Sequence, residues 1–401
     1  MNNSMKIAVI SDSKENSGGS LHVTLSAAKS LQLFNIPNLD LDFVVTQKSV
    51  FKILKKSHEG KIKLLDENIF AFKISSFLYR NIFFKKIYHK FSLDNYFETF
   101  VKKNKYDLVF FITPSSLLLL CNKINFIYSI WEFAHKEHPS LPEYSENTVT
   151  NKDNYYNYAC KHAFKIILFN EKSKKDFHKY YLVDKSKLET FFFGPLLTNI
   201  PVKNNSKIDE LIKNKKYIFY PAQFWPHKNH IYLLEALKKY NENKEKKIFL
   251  ILTGHDKGNL TFIKNRINNL GIINEVFIFN YLNDDEICYL YKNCFAVAFP
   301  SLVGSQSLPL FEAFFFQKPI IYNQKILDPF YKDSTLALNI DDYQNLGINI
   351  EKIINNPKLI NDITKRGLEI YKASLNENIV QAKLSKIFKH YQEYQNLWKN
   401  F

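Results

Sequence analysis

Two series of short apolar strands set the strongest limit on what this chain can fold into. The first half contains the runs KIAVIS, LDFVVT, DLVFFIT, FIYSI, KIILF and ETFFF, and the second contains YIFYPA, KIFLILTG, VFIFN, AVAFPS and PIIY. Helix-period segments such as NHIYLLEALKKYNEN lie between the later strands. Strands that are apolar along their whole length are typical of parallel sheets covered by helices on both faces. The sequence therefore predicts an α/β fold with two Rossmann-like domains.

Chain length and turn residues predict where these domains begin and end. A chain of 401 residues suits two domains of ordinary size. Gly194, Pro195 and Pro201 mark a junction, and the polar stretch that follows keeps neither the helix nor the strand period. We expect an N-terminal domain over 1–195, a linker over 196–214 and a second domain over 215–380. A C-terminal helix over 381–401 has no strand of its own to cover, and it could pack back on the first domain.

Composition and charge exclude several classes of protein. The formal net charge of +16 favours anionic partners such as nucleic acid, acidic lipid or phosphorylated ligands. The start MNNSMKIAVISDS leaves no room for a secretion signal, and the longest apolar runs fall short of the roughly 20 residues of a spanning helix. The cysteines lack metal-ligand spacing; they are Cys121, Cys160, Cys288 and Cys294. We therefore expect a cytoplasmic protein whose membrane contact, if any, is peripheral.

The segment YPAQFWPHKNH, residues 220–230, has the pattern of a phosphate-binding turn. A strand ends in a small residue, a tight loop follows, and Lys228 precedes a helix that starts near Asn229. Free amides at a helix start beside a lysine form a natural phosphate cradle. The alternative is a solvated lysine next to a turn marked by proline.

A second segment, residues 300–322, repeats the arrangement of strand, loop and helix. Gly304 and three polar residues follow a strand, and a helix begins close to Pro309 with Glu312 expected in its first turn. Proline at a helix start leaves an anion site open, because it removes only an amide that lacks a partner anyway. The functional interpretation of Glu312 is a carboxylate that binds ribose hydroxyls. The alternative is a carboxylate favoured by the helix dipole.

These segments together resemble glycosyltransferase family 4, retaining enzymes of the GT-B fold, in which two Rossmann-like domains with parallel sheets face each other across a cleft. The match runs through most of the C-terminal half and includes TGHDKGN, NYLNDDEICYLYKNC and SLPLFEA. The resemblance implies that Lys228 contacts the donor diphosphate, that Glu312 contacts the ribose, and that amides near Leu308 contact the phosphates. The whole donor set that it implies is Gln223, Lys228, Gly254, Tyr281, Ser305, Ser307, Leu308 and Glu312.

The chain departs from the family pattern at two positions. Gln223 stands where the family usually has arginine, and Gly304 replaces the first Glu of a Glu, seven residues, Glu pattern. A bacterial surface-polysaccharide subgroup of O-antigen type is similar in both respects. That subgroup commonly continues with Pro-Thr-Asn, whereas this chain has residues 305–307 as Ser-Gln-Ser.

Weaker resemblance extends into the first half, where an acceptor side is expected. Gly18 and Gly19 lie between the first strand and a helix, and glycine there lets a backbone approach a ligand closely. No GxGxxG is present, which argues against a nicotinamide cofactor. In YSIWEFAHKEHPSLPEY, Trp131, Glu132 and His135 match family residues at the mouth of the cleft. His135 could orient the donor sugar or the acceptor and is grouped with Lys228 and Glu312 as catalytic; the alternative is a surface histidine in a polar loop.

The resemblance also implies a mechanism: a front-face displacement without a protein nucleophile. Negative charge builds up on the leaving β-phosphate, so fixed cations and amides there lower the barrier most. The sequence contains no clustered Asp or His site of the DxD type, so we expect no metal and no cofactor other than the nucleotide sugar as co-substrate.

A basic and aromatic stretch, Phe70 to Lys105, favours an anionic membrane surface and a lipid-linked acceptor. Its cations are Lys73, Arg80, Lys85, Lys86, Lys90, Lys102, Lys103 and Lys105, and the aromatic residues interleaved with them include Phe77, Tyr79, Phe83, Phe84, Tyr88, Phe91 and Phe97. The alternative is an ordinary helix pair with a solvated basic face. No RNA-binding motif is visible, so nucleic acid is not expected as a partner.

The leading hypothesis is a glycosyltransferase that moves a hexose-type sugar from a GDP- or UDP-linked donor to a glycan or lipid-linked glycan of a bacterial surface polysaccharide. Two alternatives remain open. A nucleotide-sugar hydrolase or epimerase would release nucleotide without a glycan, and a catalytically silent GT-B scaffold at the membrane would explain the departures at Gln223 and Gly304.

Overall fold

The computed structural model describes residues 4–15, 18–32, 38–57, 60–65, 93–194, 206–242, 244–280, 282–304, 308–375 and 377–398. The chain divides into two compact units. The first consists of Met1–Lys136, Ser145–Phe193 and Glu377–Phe401, and the second of Glu137–Tyr144 and Gly194–Asn376. Residues 137–144, which the sequence-based scheme places in the first domain, group with the second unit. The C-terminal helix groups with the first unit, in line with the expectation that it could pack there.

The first unit is built on a parallel sheet of seven strands. In chain order the strands are β1 (Met5–Ser11), β2 (Leu39–Val45), β3 (Ile62–Leu64), β4 (Leu108–Phe111), β5 (Phe126–Ser129), β6 (Lys165–Leu168) and β7 (Leu188–Thr190). Their order in the sheet is β3-β2-β1-β4-β5-β6-β7. Strands β4, β5 and β6 are buried at every residue, because helices cover both faces of the sheet.

The described helices of the first unit follow the strands in the expected alternation. They are α1 (Gly19–Gln32), α2 (Lys48–Ser57), α3 (Tyr96–Lys103), α4 (Ala134–Glu137), α5 (Glu146–His162) and α6 (Glu171–Tyr181). Asn95 begins α3 with a capping box in which its side chain and that of Glu98 satisfy each other's backbone amides. The described residues of this unit also form two 3-10 helices, Ser116–Leu120 and Lys185–Lys187.

The second unit repeats the plan with six parallel strands. These are β8 (Tyr217–Pro221), β9 (Phe249–Thr253), β10 (Val276–Phe279), β11 (Ala296–Phe299), β12 (Ile320–Asn323) and β13 (Leu336–Leu338), in the order β10-β9-β8-β11-β12-β13. Its described helices are α7 (Ser206–Ile212), α8 (His230–Asn241), α9 (Leu260–Leu270), α10 (Asp284–Asn293), α11 (Leu308–Phe315), α12 (Gln344–Asn355) and α13 (Pro357–Ser374). Its described 3-10 helices are Pro226–Lys228 and Pro329–Ser334.

The last helix, α14 (Glu377–Trp398), packs on the first unit. The Tyr391 hydroxyl donates to the carbonyl oxygen of Asp107 at 2.7 Å and accepts from the Asn125 amide at 2.9 Å. The rings of Phe388 and Phe110 meet edge to face. The sheet of the first unit is therefore covered in part by the end of the chain.

The predicted strands are confirmed, and two short strands were not predicted. Each apolar run of the sequence overlaps a strand of the corresponding sheet. Strands β3 and β13 have three residues each. Strand β7 is equally short, but it overlaps the longer apolar run ETFFF, which made it predictable. Residues 206–212, inside the segment predicted as linker, form the short helix α7. Among the described residues no helix is long and apolar enough to cross a membrane.

Each sheet has a switch point where the strand order reverses direction. From the first strand of each unit the chain moves to one side and later returns to the other, so the reversal lies between β1 and β4 in the first unit and between β8 and β11 in the second. Loops at the carboxyl ends of such neighbouring strands diverge and leave a crevice, where ligands bind in open α/β sheets. The two switch points are therefore the places to examine for a site.

Candidate functional site

Lys228 lies in a tight turn at the switch point of the second sheet. It closes the 3-10 helix Pro226–Lys228, and its amide donates to the carbonyl oxygen of Trp225 at 3.1 Å. Asn229 follows with a φ of 53°, a left-handed conformation that asparagine tolerates better than most residues, and α8 begins at His230. The expected start near Asn229 is thus confirmed to within one residue.

Hydrogen bonds join this turn to the loop that follows β11. The buried hydroxyl of Tyr220 donates to the Lys228 carbonyl oxygen at 2.9 Å and lies 2.9 Å from the Ser301 hydroxyl. The Leu302 amide donates to the carbonyl oxygen of His227 at 2.8 Å. The Asn229 side chain adds a bond of 3.3 Å to the carbonyl oxygen of Pro300. The two motifs that the sequence singled out are therefore held together at one crevice.

Helix α11 begins at this crevice, as the sequence predicted. Its first residue is Leu308, and Pro309 follows as the second residue, which has no amide hydrogen to donate. The Leu308 amide is therefore the first of the described helix amides that could meet an anion. Three residues predicted to bind the donor, Ser305, Ser307 and Tyr281, lie outside the described residues.

Glu312 is the fifth residue of α11, so the expectation that it lies in the first turn is wrong. The helix begins at Leu308, four residues before Glu312, so Glu312 falls in the second turn. Its side chain is buried, and one oxygen accepts a hydrogen bond of 2.8 Å from the Tyr291 hydroxyl. Burial raises the pKa of Glu312 to about 7, although the bond from Tyr291 opposes this shift. A dipole effect on a first-turn carboxylate does not account for its position.

Gly254 permits the loops after β8 and β9 to meet. A Cβ atom on Gly254 would lie 2.5 Å from the carbonyl oxygen of Ala222 and 2.7 Å from the Cα atom of Gln223. Its φ of +156° is also one that other residues rarely adopt. The close approach brings Gly254 beside Gln223, two of the residues predicted to bind the donor.

Gly304 has a φ of +93°, and its carbonyl oxygen accepts a hydrogen bond of 2.8 Å from the buried hydroxyl of Tyr322. A Cβ atom at this position would meet no described atom within 4 Å. The glycine is thus explained by its backbone conformation and not by crowding. A glutamate in this place would have to bear the backbone strain of a positive φ.

At the switch point of the first sheet, Gly18 and Gly19 start α1. Gly18 has a φ of 57°, and its carbonyl oxygen accepts from the His22 amide at 3.1 Å. Beside them, Asp12 follows β1 and accepts hydrogen bonds from the hydroxyls of Thr46 and Ser115 at 2.5 and 2.8 Å. Sequence reasoning missed Asp12; the polar segments SDS after β1 and TPSS after β4 were the available signal.

Glu132 and His135, predicted on the acceptor side, also lie in the first unit. The Glu132 carboxylate pairs with Lys152 and accepts from the Ala134 amide at 2.7 Å. His135 is only 2% exposed, so the alternative of a surface histidine is wrong. Its Nε2 lies 3.0 Å from a carboxylate oxygen of Asp153 and 3.0 Å from the Tyr181 hydroxyl. Burial lowers the pKa of His135, although Asp153 opposes this shift.

Most of the basic and aromatic stretch, namely residues 70–92, lies outside the described residues. In its described end, Phe97 is fully buried in the core of the first unit. Lys102 pairs with Asp94. These two residues therefore have structural contacts of their own.

Two further side-chain pairs of the second unit were not predicted. A ring nitrogen of His227 contacts a carboxylate oxygen of Glu143, which lies in the segment Glu137–Tyr144 of the second unit. Tyr291 holds Glu312, as described above. Sequence spacing gave no signal for either pair, because their members are 84 and 21 residues apart.

Over the described part of the chain, no group of three or more His, Cys, Asp and Glu side chains is arranged to hold a metal ion.

Comparisons with known proteins agree with this geometry. Residues 202–369 match the family described as Glycosyl transferases group 1. No curated protein is similar enough in sequence to count as a match. Among solved structures, HepE of Anabaena in complex with UDP and glucose is similar with a TM-score of 0.71 and 16% identity, over 96% of this chain and 100% of that one.

Two further structures share the fold. A glycosyltransferase from Rickettsia africae ESF-5 has a TM-score of 0.67 and 16% identity, over 97% of this chain and 98% of that one. A mutant of TarM from S. aureus, in complex with Fondaparinux, alpha-GlcNAc-glycerol and UDP, has a TM-score of 0.68 and 11% identity, over 96% and 99%. Two parallel sheets of Rossmann type and these neighbours establish the GT-B fold. The match of residues 202–369 to glycosyl transferases group 1 shows that the chain is a glycosyltransferase.

Proposed function

We propose that this chain is a retaining glycosyltransferase of family 4 that moves a hexose-type sugar from a GDP- or UDP-linked donor to a glycan or lipid-linked glycan of a bacterial surface polysaccharide. The observation that carries the proposal is the junction of two loops at the switch point of the second sheet, where Tyr220 bonds to both Lys228 and Ser301. A lysine and a helix start fixed at one crevice suit a diphosphate. The UDP complex of HepE, which has the same fold, supports a UDP-linked donor.

In this proposal the donor lies along the carboxyl edge of the second sheet. Lys228 and the Leu308 amide bind the diphosphate, and Glu312 accepts hydrogen bonds from the ribose hydroxyls. Gln223 and Gly254, brought together by the close approach of their loops, line the same end of the sheet. Tyr281, Ser305 and Ser307 stay in the proposed donor set on the strength of the resemblance alone.

The reaction breaks the bond between the anomeric carbon of the sugar and the β-phosphate oxygen, and it forms a bond from that carbon to the acceptor oxygen on the same face. The acceptor proton passes to the departing phosphate oxygen, so no protein base is required. Lys228 and the Leu308 amide stabilise the charge that collects on the leaving diphosphate. We propose that the lysine takes the role of a metal ion in this step and that no other cofactor takes part.

The acceptor side is proposed in the first unit, around Gly18 and Gly19 at the switch point of that sheet. Glu132 and His135 stay in this proposal, with His135 acting from a buried position beside Asp153. We also propose that the enzyme works in the cytoplasm, peripherally at an anionic membrane surface. The TarM complex, which contains a glycan and alpha-GlcNAc-glycerol, supports a hydroxylated acceptor.

The experiment is a transfer assay with a panel of UDP- and GDP-linked hexoses and lipid-linked or free glycan acceptors. Nucleotide release and the mass of the product are measured for the wild type, Lys228→Ala and Glu312→Gln. Lys257→Ala, a lysine on the next loop that lies over the Trp225 ring, is the matched control. We expect the wild type and the control to form glycosylated product that keeps the anomeric configuration of the donor. Lys228→Ala and Glu312→Gln should form none. Nucleotide release without product in the presence of acceptors would favour a hydrolase or epimerase instead.

A further inference from the structure

Two buried polar atoms beside the Lys228 turn have no hydrogen-bond partner in the described part of the chain. They are the Oε2 atom of Glu143 and the Nε2 atom of Gln223. The Glu143 side chain is only 8% exposed. Leaving a buried donor or acceptor unpaired costs free energy, so each such atom in a folded protein needs an explanation.

A series of side-chain contacts links the two residues. The indole nitrogen of Trp225 donates to the Gln223 Oε1 atom at 3.2 Å. The Trp225 ring stacks on the His227 ring with centroids 6.2 Å apart, and His227 contacts the Oε1 atom of Glu143. Trp225 and His227 belong to the turn that ends at Lys228. The unpaired acceptor and the unpaired donor are thus anchored in one cluster on the proposed diphosphate turn.

The chemistry of the two atoms restricts the ligand that would satisfy both. A carboxylate oxygen only accepts hydrogen bonds, and an amide nitrogen only donates them. A phosphate group only accepts, and its charge would be repelled by Glu143. A hydroxyl group both donates and accepts, so a group that carries several hydroxyls satisfies Glu143 and Gln223 together.

We infer that Glu143 and Gln223 recognise hydroxyl groups of a sugar bound beside the Lys228 turn, with His227 holding the Glu143 carboxylate in place. The inference rests on the proposed function and adds to it the residues that bind the hydroxyl groups of the sugar. Such hydroxyl groups are present both on the donor sugar and on the first sugar of the acceptor. Glu143 thus supplies a buried carboxylate in the second unit, in which residue 304 is glycine where the family pattern has glutamate.

The test measures binding to the Glu143→Gln variant by calorimetry without acceptor. The probes are two pairs, UDP with UDP-glucose and GDP with GDP-mannose. The variant is titrated with the pair that the wild type binds. Replacing the carboxylate by an amide keeps the shape of the side chain and removes a charged acceptor. For the nucleotide sugar we expect the Kd to rise about tenfold or more, and for the nucleoside diphosphate we expect no change. Gln223→Leu, which removes the donor, should act in the same direction.

Glu146→Gln is the matched control, because Glu146 is exposed at the start of α5 nearby in the sequence. A selective rise in the acceptor KM, with unchanged donor binding, would also support the inference and assign the hydroxyls to the acceptor. Equal effects on the nucleotide sugar and the nucleoside diphosphate, or no effect on donor and acceptor in either variant, would overturn it and leave the proposed function intact. Failure of the wild type to bind any nucleotide would overturn both.

Discussion

The hydroxyl of Tyr220 donates a hydrogen bond of 2.9 Å to the carbonyl oxygen of Lys228, so the end of a buried strand holds the turn that the proposed mechanism requires. The same hydroxyl lies 2.9 Å from Ser301 in the loop after the neighbouring strand. Tyr220 is 1% exposed, so its hydroxyl is shielded from solvent. The position of Lys228 is therefore fixed by the core of the second unit.

Tyr220→Phe should loosen this turn without changing the packing of the ring. The lost bond leaves a buried carbonyl oxygen and a buried hydroxyl with one partner fewer, so we expect the free energy of unfolding to fall by about 1–3 kcal/mol in urea titrations. We also expect weaker binding of the nucleoside diphosphate.

Tyr217→Phe is the matched control for this change. Tyr217 begins the same strand, is equally buried, and donates to the carbonyl oxygen of Leu290 at 2.9 Å, away from the turn. Its loss should reduce stability by a similar amount and leave nucleotide affinity unchanged. Equal nucleotide affinity in both variants would show that the Tyr220 bond does not position Lys228 for binding.

Glu312 should make stability and donor binding depend on pH in opposite directions. Its pKa rises from 4.5 in the unfolded chain to about 7 in the folded one, so the folded state binds the proton more tightly. The stabilisation is present below pH 4.5 and is lost as the pH rises to about 7; by linkage it amounts to about 3 kcal/mol. Denaturant titrations across this range should show the loss in the wild type and not in Glu312→Gln.

Binding of the donor ribose needs the carboxylate form, so donor affinity should rise between pH 6 and pH 8. Tyr291→Phe removes the hydrogen bond that stabilises the carboxylate, and it should move this rise to higher pH. Calorimetry at several pH values measures both profiles. A donor affinity that falls over the same range, or a profile unmoved in Tyr291→Phe, would contradict the role given to Glu312.

Gly254→Ala should destabilise the second unit by more than the replacement of other glycines with positive φ. The new Cβ atom would lie 2.5 Å from a backbone oxygen, so the loops after β8 and β9 must separate, at a cost of about 1–3 kcal/mol or more. Gly271→Ala is the comparison, because Gly271 has a φ of +66° and open space around its Cβ position. If the two variants had equal melting temperatures, the close approach at Gly254 would be refuted.

His135 should contribute to the stability of the first unit in a pH-dependent way. Its pKa is lowered by burial, so the unfolded chain binds the proton more tightly. Stability should therefore fall as the pH drops below the ordinary value of 6.5, and His135→Leu should flatten this dependence. Exposed His162 provides the control substitution. An unchanged pH dependence of unfolding in His135→Leu would show that the ring is not held neutral by burial.

The fold could be predicted because its strands are buried on both faces and therefore apolar throughout. Apolar runs such as DLVFFIT and KIILF are typical of strands in a parallel sheet that is covered on both faces. Strands β3 and β13 were not predicted, because each has three residues and neither belongs to a longer apolar run such as ETFFF at β7. The segment Glu137–Tyr144 joins the second unit through contacts between residues far apart in the chain, which local patterns do not encode.

The candidate site could be predicted only where a motif is local. The Lys228 turn and the start of α11 follow from turn residues and proline within a few positions. The side chains that hold them, Tyr220, Tyr291 and Tyr322, look like ordinary core residues in the sequence. Their hydroxyls form these hydrogen bonds only after folding brings residues that are distant in the sequence together.

The central claim is that Lys228 binds the diphosphate of a nucleotide, and calorimetric titration tests it most directly. The wild type, Lys228→Ala and the control Lys257→Ala are titrated with UDP, GDP and the corresponding monophosphates. We predict that Lys228→Ala raises the Kd of the diphosphate about tenfold or more, because a charged hydrogen bond is lost, and changes that of the monophosphate little. Diphosphate affinity equal in wild type and Lys228→Ala would contradict the account.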